Sequence, residues 1–177
     1  MDVRINLSLK GRRIRKNIQK SIQKDIRNIK KIKIRLHHKY LFLFLAGGFS
    51  YMIIEMLWRG RTDWTMGILG GIGFICVGLL NEFYSWEMPL LKQMLISSIM
   101  ITSLELVAGV ILNVWLKLDI WDYSTLPFNL AGQISLLYTV LWFFLSGLVI
   151  ITDDCLRYLF FGEEKPKYYL IRKPAFV

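Results

Sequence analysis

Glu105 is the residue of this sequence best placed to do chemistry, because it lies near the middle of an apolar run, Met94–Leu116, that is long enough to cross a bilayer. A helix rises about 1.5 Å per residue, so about 20 apolar residues span the ~30 Å hydrocarbon core. On a helix Ser98, Thr102, Glu105, Gly109 and Asn113 recur at spacings of 4, 3, 4 and 4 and share one narrow face. A carboxyl group at that depth costs several kcal/mol against lipid, so the stripe is expected to face the interior of a helix bundle. There it could line a substrate or ion path, or it could simply join helices as a hydrogen-bonded packing group.

Other polar residues gather at the ends of apolar runs. Glu55 and Arg59 stand one helical turn apart and are expected to pair. With Asn113, Trp121, Asp122 and Gln133 they make up an outer set, and Glu105 lies below it. Asn81, Glu82, Trp86, Asp153, Asp154 and Arg157 make up an inner set, in which Arg157 can reach either aspartate. The two sets could be opposite mouths of one polar path or two rings of helix-end hydrogen bonds. Carboxylates such as Glu82, Asp153 and Asp154 could also act as acid and base or hold Mg²⁺ in a membrane-embedded enzyme. Against that, the only histidines are His37 and His38, and HExxH and GxSxG are both missing. The sequence nominates no catalytic residue, no metal site and no cofactor.

The elements that must position these residues are four apolar spans. The first is about Tyr40–Trp58, the second Trp64–Tyr84, the third Met94–Leu116 and the fourth Ala131–Thr152. Gly67 and Gly71 in the second form a small-xxx-small pair suited to close helix packing. No Lys follows these glycines and no strand precedes them, so they are not a phosphate cradle. On the fourth span Ser135, Thr139, Trp142, Ser146 and Asp153 share a face, and Asp153 and Asp154 are expected to end it. Mean hydropathy of +0.41 and 54% apolar residues suit a polytopic membrane protein better than a water-soluble domain. Cys76 and Cys155 show no disulfide or zinc spacing and are expected to be free thiols.

Charge is concentrated ahead of the first span. Residues 1–39 carry 14 Lys and Arg against Asp2 and Asp25, so this arm holds +12 in a chain whose total is +10. Ile14, Ile18, Ile22, Ile26, Ile29, Ile32 and Leu36 recur at steps of 3 or 4, which predicts a basic amphipathic helix. Such a helix before a membrane span suits anionic lipid head groups, with a partner-protein helix as the alternative. Nucleic acid fits less well, since no aromatic precedes Tyr40 and no nucleic-acid fold fingerprint is present. The arm is much longer than the basic region of a signal peptide and is expected to stay attached. With four spans, 20 Lys and Arg fall on the side of the termini and 3 on the other, which predicts cytoplasmic N and C termini.

The resulting expectation is an all-α integral membrane four-helix bundle: an arm over 1–39, a four-span domain over 40–155 and a cytoplasmic tail over 156–177.

From Tyr51 onward the runs YMIIEMLWRGRTDWTMGILGGI, GLLNEFYSWEMPLLKQMLI, ITSLELVAGVILNVWL, IWDYSTLPFNLAGQIS and ITDDCLRYLFFGEEKPKY resemble a family of small bacterial membrane proteins, the ABC-transporter type IV or CmpB group. The resemblance covers Leu41 to Tyr169 and leaves out the basic arm. It takes in Glu55, Arg59, Gly60, Trp64, Asn81, Glu82, Trp86, Gln93, Glu105, Asn113, Trp121, Asp122, Tyr123, Gln133, Asp153, Asp154 and Arg157. The family carries His and Cys where this chain has Asp63 and Ser135, so imidazole and thiol chemistry do not carry over to those positions. The resemblance implies transport in a bacterial plasma membrane.

The chain has no GxxxxGK[ST] run, so ATP hydrolysis of the P-loop kind would need a separate ATPase subunit. Four spans make a small permease, so a homo-oligomer is expected. The alternatives are a structural or regulatory membrane anchor, or a membrane-embedded enzyme acting on lipid or envelope precursors.

Overall fold

The structure, a computed structural model, describes residues 22–23, 35–83 and 88–171. Most of the basic arm, with the amphipathic helix expected there, therefore lies outside the described residues. The chain divides into two compact units, Met1–Tyr40 and Leu41–Val177.

Among the described residues the fold is all-helical apart from one two-stranded ribbon. Helix α1 is Arg35–Arg59, α2 Trp64–Phe83, α3 Leu90–Gly109 and α4 Leu136–Phe161. A π-helical turn, Val110–Trp115, prolongs α3, and strands β1 (Asn129–Leu130) and β2 (Ile134–Ser135) pair antiparallel. Three helical segments are long and apolar enough to cross a membrane: Arg35–Arg59, Leu90–Trp115 and Leu136–Phe161. Helix α2 carries a shorter apolar stretch, Trp64–Leu80. Large apolar side chains cover the outside of the bundle, with Leu57 83% and Phe144 64% exposed, as expected of a surface solvated by lipid. Trp58, Trp64 and Trp115 are also exposed where α1 ends, α2 starts and α3 ends, one common end of the bundle, and form an aromatic belt there.

The helices pack through small residues. A Cβ on Gly48 would come within 2.5 Å of the Gly67 carbonyl, and one on Gly71 would collide with the Phe44 ring, so the glycines let α1 and α2 approach backbone to backbone. Val77, Met94 and Ile150 form a buried core between α2, α3 and α4. Beside it Ser146 Oγ, fully buried, donates to the Met94 carbonyl at 3.2 Å and so joins α4 to α3.

Helix ends follow local chemistry. Gly60, at φ 68°, ends α1 in the left-handed conformation that glycine adopts without steric cost. Asp63 accepts the Thr65 N–H at 2.8 Å and the Thr65 hydroxyl at 2.6 Å at the start of α2, and Ser135 is the N-cap of α4. Asp63 and Ser135 are thus both preferred N-cap residue types.

The fourth helix differs from the span read in the sequence. It begins at Leu136, because Ala131–Ser135 belongs to the ribbon, and it runs past Asp153 and Asp154 to a left-handed stop at Gly162. The aspartates do not end it because both are buried and partnered. At about 1.5 Å per residue its 26 residues reach about 39 Å, more than the hydrocarbon core requires. After Gly162 the chain returns to the bundle. The Leu90 N–H donates to the Tyr169 carbonyl at 2.7 Å, so this segment satisfies one of the donors that the start of α3 leaves open.

Candidate functional site

Glu105 lies fifteen residues into the Leu90–Trp115 segment and is only 3% exposed. The stripe to which it belongs faces inward: Ser98 and Gly109 are buried, and Thr102 donates to Thr139 Oγ1 on α4 at 3.2 Å. Two neutral donors hold the carboxyl group. Tyr123 Oη donates to Oε1 and Trp142 Nε1 to Oε2, each at 2.9 Å. Among the described residues no Lys, Arg or His pairs with it. Tyr123 reaches this depth because the segment after α3 folds back over the bundle, where its ring stacks on Tyr138 at 4.3 Å between centroids. Burial, then Glu105 beside it, pushes the Tyr123 phenol far above its ordinary value.

The fold-back is built by Asn113 and Gln133. Asn113 sits in the π-helical turn, the kind of irregularity often found at functional sites. Its Nδ2 donates to the Trp121 carbonyl at 3.0 Å and to Gln133 Oε1 at 2.9 Å, and its Oδ1 accepts the Ile120 N–H at 2.8 Å. Trp121, 3% exposed, donates from Nε1 to the Gln133 carbonyl at 2.9 Å. A side chain at Gly109 would come within 2.5 Å of Gln133 Oε1, so the small residue makes room for that amide. The segment contains four non-glycine residues with positive φ, Lys117, Asp119, Phe128 and Ala131. Each such residue costs about 1–2 kcal/mol, so the amide contacts hold a shape that the loop would not adopt by itself.

Glu55 and Arg59 join this structure from α1. Arg59 Nη2 donates to Glu55 Oε1 at 2.7 Å, Thr62 Oγ1 donates to Oε2 at 2.9 Å, and Arg59 Nη1 donates to the Ile120 carbonyl at 3.2 Å. The pair therefore ties the end of α1 to the folded-back loop. Asp122 stands apart. It is exposed and accepts the Ser124 N–H and hydroxyl, both at 2.8 Å, which hold its carboxyl below the usual carboxylate range.

At the other end of the bundle, fully buried Asp153 accepts a hydrogen bond from Arg157 Nε, and Arg157 Nη1 pairs with Glu82. Asp154 accepts from Tyr168 Oη at 2.7 Å. Burial first, then Asp154, raises the Tyr168 phenol. Gly78 passes so close to Asp153 that any side chain there would overlap the carboxylate. Trp86 and the side chain of Asn81 lie outside the described residues. Among the described residues no group of three His, Cys, Asp or Glu side chains is arranged to hold a metal ion.

The two donors that hold Glu105 are not among the site residues nominated from sequence. The signal for Trp142 is its place on the polar face of α4. For Tyr123 spacing gives no such signal, because its position depends on how a non-helical segment folds.

A bundle of apolar-surfaced helices with a buried carboxyl group and a folded-back polar loop defines a polytopic α-helical membrane protein. The chain belongs to the family described as "Putative ABC-transporter type IV", whose pattern matches residues 42–156, more than half of its length. No curated protein and no solved structure matches it.

Proposed function

We propose that this protein is a permease-like membrane subunit of a transport system, driven by a separate ATPase subunit. The observation that carries the reading is Glu105, a buried carboxyl group inside a membrane bundle, held by neutral donors at the wall of a cavity. Ionisable groups in such a position mark substrate or ion pathways. Membership of a transporter-type family supports it. The outer residues Glu55, Arg59, Asn113, Trp121 and Gln133 would shape the outer mouth by fixing the folded-back loop. Fixed polar groups would replace solvent around the substrate, and rearrangement of the helices would open the site to either side.

In this reading α2 crosses the bilayer with the other three helices and both termini face the cytoplasm of a bacterial cell, as the bias of Lys and Arg indicates. The basic arm rests on anionic lipid head groups, and the small bundle works as a homo-oligomer.

The test is recovery of the intact protein from its native membrane in mild detergent, with mass spectrometry of what accompanies it. A stoichiometric ATPase is expected. Recovery of the chain with only itself or an envelope enzyme would overturn the reading. Deleting residues 1–39 separates transport from an anchoring role: a transporter keeps its flux, whereas an anchor acting through the arm loses its function.

A further inference from the structure

Two cavities adjoin along α1 and α4. The upper chamber, about 530 Å³ toward Arg59, is also lined by the folded-back loop, and the lower, about 200 Å³ reaching Gly47 and Thr152, is lined by all four helices; Tyr51, Ile54, Trp142, Leu145 and Leu148 line both. Along α4 their wall runs from Tyr138 to Thr152, about 20 Å at ~1.5 Å per residue. Leu57, Phe144 and Leu148 line the upper chamber and are also exposed on the outside of the bundle, so it opens sideways toward lipid.

Three features define what would fit. The length and apolar walls suit an aliphatic chain. Glu55 and Arg59 pair with each other at the upper end, which leaves Glu105, at the wall of the lower chamber, as the carboxyl group of the lining that no described cation pairs with. Aromatic side chains lie beside it: Trp142 and Tyr123 donate to its two oxygens from their ring edges, and the Tyr51 ring, which lines the same chamber, lies 5.8 Å from that of Trp142 between centroids. Aromatic faces beside a carboxylate are a recognition surface for ammonium groups.

Gly73 supplies a further sign that the space is kept open. Side chains at Gly47 and Gly70, on the same walls, would collide with Phe74 and Tyr51, whereas a Cβ on Gly73 would meet nothing within 4 Å.

We propose that this cavity binds an amphipathic organic cation, with its aliphatic chain along the walls of α1 and α4 and its ammonium group between Glu105 and the rings of Tyr51 and Trp142. The ligand enters sideways from the bilayer. The inference rests on the transport reading for the ligand's role as substrate, but the binding itself can be tested without flux. The ammonium amphiphile could be a bilayer aminophospholipid or a lipophilic cation that partitions into the membrane from water.

The test uses the full-length protein in nanodiscs of a neutral glycolipid that has no amine. Radiolabelled dodecyltrimethylammonium and dodecanol serve as cationic and neutral probes of equal chain length. Saturable binding of the cation is expected. Glu105→Gln, which keeps the shape and an acceptor, should weaken the cation at least tenfold and leave the alcohol unchanged. Gly73→Leu, which fills the lower chamber, should weaken both probes while preserving the unfolding temperature. No saturable cation binding, an equal loss of both probes in Glu105→Gln, or full binding of both in Gly73→Leu would overturn the proposal. Within a positive result, competition by added phosphatidylethanolamine assigns the site to a membrane lipid, and its absence assigns it to a lipophilic cation. Binding in a protein that shows no flux and no ATPase partner retains the site and removes the transport reading. An ATPase partner without cation binding retains transport and removes the site.

Discussion

At one end of the bundle fully buried Asp153 meets the guanidinium of Arg157; toward the other, nearly buried Glu105 meets a phenol and an indole. Both ends have space nearby, but its lining differs: a cavity of about 350 Å³ beside Arg157 is lined by the charged Glu82, Asp154, Glu163 and Glu164, whereas the chamber of about 200 Å³ beside Glu105 has mostly apolar walls from all four helices. Asp153 itself is closed in by Gly78, next to the apolar core of Val77, Met94 and Ile150. An acid matched by a cation from the same cluster holds helices together. An acid held only by neutral donors beside open space retains the capacity to meet an outside charge.

The sharpest way to break this comparison is to remove the partner at each end. Arg157→Met leaves the Asp153 carboxylate without its guanidinium and is expected to cost about 3–5 kcal/mol, read as a large fall in thermal stability in detergent. Glu105→Gln can keep its oxygen as acceptor for Trp142 and donate from its NH2 to Tyr123 Oη, and should cost no more than about 1 kcal/mol. Equal costs at the two sites would mean that Glu105 is as structural as Asp153.

The folded-back loop offers a second test. Asn113→Leu leaves the Ile120 N–H and the Gln133 amide short of partners, an expected loss of about 2–3 kcal/mol. Faster hydrogen exchange over residues 116–135, with α2 unaffected, would show that the loss is local. Spread of the exchange into α2 would show instead that loop and bundle are one cooperative unit.

A smaller effect is expected at the inner end. Tyr168→Phe removes the hydrogen bond to Asp154 and should cost about 1–2 kcal/mol. Limited proteolysis should then cut residues 163–170 faster. Unchanged cleavage would mean that the bond from Leu90 to Tyr169 is enough to hold this segment.

The smallest effect belongs to Asp122. Because folding lowers its carboxyl pKa, its contribution is present above the unfolded value and fades as pH falls through the lower folded value. Protection of the Ser124 amide, taken relative to its intrinsic exchange rate at each pH, should therefore fall on acidification below the usual carboxylate range and stay flat above it, with Asp122→Ala abolishing the change. The site is exposed, so global unfolding should not follow; if it does, the loop is more tightly coupled to the bundle than the comparison allows.

Much of this was legible in the residue order. Apolar runs of span length, the inward stripe through Glu105, the Glu55–Arg59 pair at one helical turn and the packing role of Gly67 and Gly71 follow from helical periodicity. Periodicity depends only on neighbours within a few turns, so sequence carries it. Helix α4 shows where such reasoning stops. Asp153 and Asp154 look like a helix end because charges normally sit at the membrane surface, yet Arg157, Glu82 and Tyr168 stabilise them inside the fold and the helix continues to Gly162.

Only the tertiary structure decided what holds Glu105. Tyr123 reaches Glu105 through a loop with four left-handed residues, a path that no local propensity favours and that Asn113 and Gln133 hold by long-range hydrogen bonds. The cavity likewise depends on where α1 and α4 fail to touch, which packing of the whole bundle sets. The sequence by itself determined a helical membrane protein with a buried acid, because hydropathy and the 3.6-residue period are local properties. The surroundings of that acid were decided by contacts between residues far apart in the chain.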